Sequence, residues 1–306
     1  MGLVFLPSLP GQKSYKSTFW LTEADIKLIA KRMASVGRAP MGPLTVKKVA
    51  GYLTNWHIYL LPLLYVLWNN SGGPMNIMSL WLKSFNTVHT GTGITYTTDQ
   101  INYYNMPVWA VWAICGILAG WLSDGPLRGR RWPMIVFFTT VNVVVCIALL
   151  CIPVYHNISG HFVLYYMTGC TAGLSGLLFA WANEICAADN EERALVVVLM
   201  NDLAYVLQAI VPNFAWKTVD YPKSTAGLSY SVAISALVVP LTFVIRALHG
   251  RDSRLARLAA ARVVEDDKGR RSPGSLEDKE EGEDGFPATK GEERVTAHTL
   301  PAGQLH

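Results

Sequence analysis

Gly120-Trp121-Leu122-Ser123-Asp124-Gly125-Pro126-Leu127-Arg128-Gly129-Arg130-Arg131 is the stretch that decides the fold. It separates two apolar runs, residues 101–122 and 132–151, and neither contains Asp, Glu, Lys or Arg. At about 1.5 Å of rise per helical residue, each run is long enough to cross a hydrocarbon core of about 30 Å. The turn between them holds one carboxylate and three guanidinium groups, punctuated by Gly and Pro. Two membrane helices joined this way form a hairpin whose basic turn faces the cytoplasm. The turn then either sets topology and nothing more, or acts as a gate clamp. In the second case Asp124, Arg130 and Arg131 pair across helix ends and release when the bundle rocks.

The wider composition agrees with a membrane chain. The 306 residues are 51% hydrophobic and 16% charged, and a long polar tail dilutes the apolar average. The cysteines, Cys115, Cys146, Cys151, Cys170 and Cys186, lie in or beside apolar runs without C-x-x-C spacing. They read as small packed hydrophobes, not as a zinc site or a disulfide framework. The formal charge is +4, and the basic residues flank apolar spans instead of forming one stripe, so no nucleic-acid partner is expected. No nucleophile–base or metal-ligating constellation stands out, so neither an enzyme nor a cofactor is expected. Residues 1–6 lack a basic n-region, which argues against a secretory signal. With Pro7 and Pro10 they resemble the last residues of a helix leaving the bilayer.

Six membrane segments are predicted, at 49–80, 101–123, 132–152, 159–186, 194–216 and 226–247, in an all-α membrane protein. The first is too long for one straight crossing and contains Asn69-Asn70-Ser71-Gly72-Gly73-Pro74, which breaks a helix. It is either a discontinuous helix whose freed backbone lines a cavity, or a span that ends near Trp68 and continues as outer loop. Residues 1–50 read as a cytoplasmic loop with an amphipathic helix over 22–36, capped by Thr22 with Glu23 and Asp25 in its first turn. Residues 51–248 form the bundle. Residues 249–306 form a cytoplasmic tail, basic at Arg251, Arg254, Arg257 and Arg262 and then disordered. Lys and Arg concentrate on one side of this arrangement, which puts both termini in the cytoplasm.

Ionisable and amide groups within the spans carry the functional expectations. Asp202 lies nine residues past Arg193, roughly 13 Å along its helix, too deep to be interfacial. Asn201, Tyr205, Gln208 and Pro212 make a polar stripe beside it. The stripe either walls a solute cavity, with Asp202 as proton carrier, or holds helices together by hydrogen bonds. Glu184 sits at the inner end of its helix, placed to pair with Arg130 or Arg131. His57 reads as a packing histidine that is able to titrate near neutral pH. Gly116/Gly120 and Gly169/Gly173/Gly176 have small-residue spacing for close helix contact. Sequons occur at Asn69 and Asn157, the latter in a very short outer loop.

Gly120, Leu122, Asp124, Gly129, Arg130 and Arg131 also roughly follow the loop signature G-x-L-x-D-x-x-x-G-R-R of the major facilitator superfamily, with one residue more between Asp124 and Gly129. Further stretches sharpen the likeness: Phe19-Trp20-Leu21-Thr22-Glu23, Tyr59-Leu60-Leu61-Pro62-Leu63-Leu64-Tyr65, Trp181-Ala182-Asn183-Glu184-Ile185-Cys186, Asp189-Asn190-Glu191-Glu192-Arg193, and Trp216-Lys217-Thr218-Val219-Asp220-Tyr221-Pro222-Lys223. Together they resemble the fungal anion:cation symporter (allantoate permease) family, closest to its pantothenate and biotin branch. The resemblance implies a multi-pass transporter of two six-helix halves in the plasma membrane that moves a small organic anion with protons. This chain would be the C-terminal half, a fragment whose partner is the missing N-terminal half. It further implies solute contact by Tyr65, Asn69, Asn102, Tyr104, Asn201, Tyr205 and Gln208, proton coupling at Asp202, and a cytoplasmic gate of Asp124, Arg130, Arg131, Glu184 and Arg193. Pantothenate is the leading solute, with biotin, nicotinate or allantoate as alternatives. A truncated, non-transporting membrane protein or adaptor is the alternative of another class.

Overall fold

The computed structural model describes residues 22–35, 45–87, 93–217 and 220–270, and every regular element among them is helical. The tail expected to be disordered beyond the basic stretch is instead helical as far as Arg270, continuing the last helix; from 271 on it lies outside the described residues, as does the Phe19-Trp20-Leu21 motif. The chain divides into two compact units, Met1–Arg246 and Ala247–His306. The described part of the second is the end of the last helix.

Helix α1 (Glu23–Ser35) starts where Thr22 and Asp25 cap each other. The Thr22 hydroxyl donates to the Asp25 carboxylate at 2.6 Å, and the Asp25 amide donates back to Thr22 Oγ1 at 3.3 Å. Such reciprocal bonds satisfy donors that a helix start leaves unpaired.

The first apolar segment is interrupted. It comprises α2 (Val46–Tyr52), α3 (His57–Ser71), a 3-10 turn (Gly73–Asn76) and α4 (Met78–Thr87). At 15 and 10 residues, α3 and α4 extend about 22 Å and 15 Å, so neither alone crosses a bilayer core. The break falls at Gly72-Gly73-Pro74, where Pro74 has no N–H to continue a ladder. Beyond it the chain returns to the interior: Met78, Trp81, Leu82 and Phe85 of α4 are buried. This favours the discontinuous helix over an outer loop. The Ser71 carbonyl next to the break accepts from Asn142 Nδ2 at 3.5 Å.

Five further stretches are each long and apolar enough to cross a membrane. They are α5 (Thr98–Asp124), α6 (Trp132–Cys151), the pair α7 (Ile158–Ala172) and α8 (Ser175–Ile185), the pair α9 (Asn190–Ile210) and α10 (Pro212–Ala215), and α11 (Thr225–Arg270). Arg251 to Arg262 lie on α11. The most extensive helix pairing is α3 along α9, followed by α5 with α7 and α6 with α7. One apolar core, with Ile135, Ile185 and Val196, lies toward the Asp124–Arg131 turn. A second, rich in aromatic rings around Trp81, Phe85 and Tyr165, lies at the opposite end.

Small residues set the α5–α7 distance. A methyl group at Gly169 would stand 2.5 Å from the Val108 carbonyl oxygen, and one at Gly173 2.5 Å from the Gly116 nitrogen. Gly120 and Gly176 share the spacing but face open space, so three of the five expected contact glycines make the contact. Gly169→Leu or Gly173→Leu is expected to force α5 and α7 apart, costing about 1–3 kcal/mol by overpacking. Thermal unfolding of the detergent-solubilised chain checks this: both variants should unfold at lower temperature, while Gly120→Leu and Gly176→Leu stay near the parent.

Candidate functional site

A hollow of about 520 Å³ opens where the helices are broken. The 3-10 turn borders it at Gly72, Gly73 and Asn76, and the α7–α8 break borders it at Thr171 and Ser175. Both breaks leave backbone groups that neighbours satisfy. The Trp68 indole donates to the Thr171 carbonyl at 3.1 Å, and the Thr171 hydroxyl donates to the Phe138 carbonyl at 3.1 Å. A void of this size is in the range of small-molecule sites.

Four of the seven expected solute residues line the hollow: Tyr65 and Asn69 from α3, and Tyr205 and Gln208 from α9. The packing of α3 along α9 brings them together. Tyr65 is held by ring contacts to Phe179 and Trp68, with centroids 4.6 and 5.3 Å apart. Asn69 adjoins the Tyr65 hydroxyl. Its carbonyl oxygen is buried with no hydrogen-bond partner among the described residues. Asn69 is thus a cavity amide on a helix, a poor place for the glycan its sequon suggests.

The other three lie elsewhere. Tyr104 belongs to the aromatic core, edge-on to Phe162 at 5.5 Å and to Tyr96 at 5.9 Å. Asn102 is exposed in the first turns of α5, and Asn201 is exposed on α9 outside the hollow. Their spacing gave no indication of which face each would take, because α5 and α9 are polar on more than one side.

Sequence reasoning missed the tryptophans. Trp68, Trp109, Trp112 and Trp216 all border the hollow. Trp216 packs directly on two glycines: methyl groups at Gly73 and Gly227 would stand 2.5 and 2.1 Å from its ring. Glycine at those two places is what admits the indole. Asn142, buried in α6, was also missed; it donates to Ser235 Oγ at 3.1 Å.

Asp202 is exposed on α9 and has no hydrogen bond or ion pair among the described residues. Its neighbours Leu203, Tyr205 and Val206 are exposed too, so this part of α9 is a bare face. Only 17% of the most apolar window of the Asn190–Ala215 stretch is buried.

The expected gate residues gather at the end that carries the basic turn. Arg128 and Gly129 adopt φ of 53° and 79°, left-handed conformations that let the chain reverse between α5 and α6. Arg131, at the start of α6, then reaches three groups. It pairs with Asp124, donates to Ser123 Oγ at 3.2 Å, and meets Glu184 Oε1 through Nη2 at 2.7 Å and Nε at 3.0 Å. Burial alone would lower its pKa, but the Glu184 and Asp124 carboxylates reverse the effect and raise it, so Arg131 stays charged. Arg130 is exposed, and neither Arg130 nor Arg193 makes a side-chain hydrogen bond or ion pair among the described residues.

A second polar cluster at the α9 start ties in α2 and the start of α3. Asp189 caps α9, accepting from the Glu191 and Glu192 amides at 2.9 and 3.4 Å, and from the Tyr52 hydroxyl at 2.8 Å. Lys48 meets Glu191 at 2.6 Å and Asp189 at 3.8 Å. His57 Nδ1 lies 2.9 Å from Glu192 Oε1, which also accepts from Asn55 at 3.0 Å. His57 is thus a satisfied packing residue. Its partner 135 positions away carried no local signal.

Burial pushes the Asp189 pKa up, but the Tyr52 hydroxyl and the α9 amides outweigh it and hold the carboxyl at about 2, below the usual 3.8. A depressed folded-state pKa contributes stability above the unfolded value and loses it as pH falls through the folded one. Asp189→Asn, which keeps the cap and removes the charge, is expected to lower the unfolding temperature at neutral pH. The gap should narrow below pH of about 4 and close near 2, read from melting curves across pH.

No family model matches the chain. It is similar to a pantothenate transporter of Schizosaccharomyces pombe, 28% identical over 261 residues that make up 84% of this chain and 47% of that protein. It is similar to an MFS transporter of Pestalotiopsis fici, 27% identical over 74% of this chain and 39% of that protein. A vitamin H transporter of Saccharomyces cerevisiae is 23% identical over 91% of this chain and 46% of that protein. The chain thus spans about half the length of the curated relatives it matches. These relatives are transporters and not enzymes, and with five apolar helices of crossing length the chain is a multi-pass membrane protein.

Proposed function

We propose that this chain is the second six-helix half of a major facilitator transporter of the fungal anion:cation symporter type, carrying pantothenate into the cell with protons. The observation that carries the reading is the hollow between α3 and α9, open beside a bare apolar face that bears Asp202. A carboxylate at membrane depth costs at least about 2.5 kcal/mol on the insertion scale unless water or a partner reaches it. A first half packed on that face supplies both, together with the second wall of the cavity. The relatives named for pantothenate and vitamin H support a vitamin as cargo. Biotin, nicotinate and allantoate share the design of a hydrogen-bonding body with an acidic group, and stand as alternatives.

In this reading Asp202 takes a proton on the acidic side, and its neutral form lets an anionic solute approach. Release of the proton inside restores the repulsion and helps expel the solute. The Arg131 clamp to Asp124 and Glu184 holds the inner end shut. Arg130 and Arg193, at the same end, take up carboxylate partners when the bundle rocks. Both termini are cytoplasmic and the host membrane is the plasma membrane.

Uptake of labelled pantothenate, biotin and nicotinate into vesicles holding this chain joined to a first half tests the assignment. Pantothenate should accumulate when the outside is acidic; no uptake of any carboxylate sinks it. Asp202→Asn fixes that site as neutral, so uptake should persist at a reduced rate and lose its acceleration at acidic outside pH. Unchanged pH dependence would remove Asp202 from the mechanism.

A further inference from the structure

The hollow has a property that the transporter reading does not itself demand. Among the described residues, none of its lining groups is charged. Its polar groups are carboxamides and hydroxyls, led by Asn69, Gln208 and Tyr205, and its flat surfaces are indoles. Asn69 presents a buried carbonyl oxygen without a partner, an acceptor waiting for an N–H donor. A carboxylate is a poor match for such a surface. It brings no N–H, and the wall offers no cation to offset its desolvation. A neutral amide matches it, because it donates to Asn69 and accepts from an amide or hydroxyl opposite.

We infer that this half binds the uncharged, amide-bearing end of the solute, and that the acidic end points out of the hollow toward the bare face of α9. The inference rests on the proposed transport function and adds which end of the solute each half reads. Asn69 Oδ1 accepts from the solute amide N–H, and Gln208 bonds its polar oxygens. Trp216, packed against Gly73 and Gly227, provides the plane against which the hydrocarbon frame packs. Charge recognition then falls to groups outside this hollow.

Titration of tryptophan fluorescence on the full 306-residue chain in lipid nanodiscs tests this, since four tryptophans border the hollow. Three probes separate the ends of the molecule. Pantothenate has both ends. Pantothenyl alcohol keeps the amide and the dimethyl diol but replaces the carboxylate with a hydroxymethyl group. N-acetyl-β-alanine keeps the carboxylate and the amide but loses the diol head, and with it the oxygens assigned to Gln208. Pantothenyl alcohol should bind within about threefold of pantothenate, and N-acetyl-β-alanine about tenfold or more weaker, the factor that corresponds to one lost hydrogen bond. Asn69→Leu or Gln208→Leu should weaken pantothenate and the alcohol by the same factor, leaving their ratio unchanged. If the alcohol binds tenfold or more weaker than pantothenate, the charge is read here and the inference falls while the transport reading stands. If no probe perturbs the tryptophans, the inference falls, and uptake by the chain joined to a first half decides the transport reading separately.

Discussion

Backbone N–H and C=O groups in an apolar medium must find partners inside the protein, and this constraint orders everything else in the molecule. It explains why the described elements are all helices. It also limits where a helix is allowed to stop. Two interruptions inside otherwise apolar segments, at residues 72–76 and 173–174, are made or flanked by residues that line the same hollow. At each, side chains from neighbouring helices take up freed groups: Asn142 serves the Ser71 carbonyl and Trp68 serves that of Thr171. The hollow is therefore a place where regular structure is given up under supervision, and its polarity follows from that.

Charge is distributed by a different logic. The ion pairs around Arg131 and around Asp189 sit at one end, where water is near and helix termini offer complementary partial charges. Arg131 ties the α5–α6 turn to the end of α8. Lys48, Tyr52, Asn55 and His57 tie the approach to α3 to the start of α9. Partly exposed pairs of this kind are each worth little to stability, so their role is to fix which helix ends stay together. Asp202 departs from the pattern, being on the middle of α9 with no such partner.

The spans, the turn and the break were legible in the sequence because each has a local cause: an uncharged run of crossing length, a Gly/Pro-rich basic interval, a Gly-Gly-Pro interruption. The Thr22 cap was legible for the same reason. The site was legible only in part. Polar residues in α3 and α9 announced themselves, and Tyr65, Asn69, Tyr205 and Gln208 do meet. Tyr104 has the same chemistry but faces the aromatic core, since the azimuth of a helix is fixed by packing that one sequence does not reveal. The tryptophans were illegible for the opposite reason, an indole in an apolar run being indistinguishable from core. Lys48 and Glu191 are 143 positions apart, and nothing local joins them.

The ring of Trp216 rests against the backbone at both Gly73 and Gly227, closer than any side chain there would allow. A rigid ring in contact with the backbone of both leaves little freedom for the two segments to slide independently. The interrupted part of the first segment and the beginning of α11 are thus coupled in register. Any opening of the hollow on that side has to carry both segments along as one piece, turning about the ring instead of parting around it.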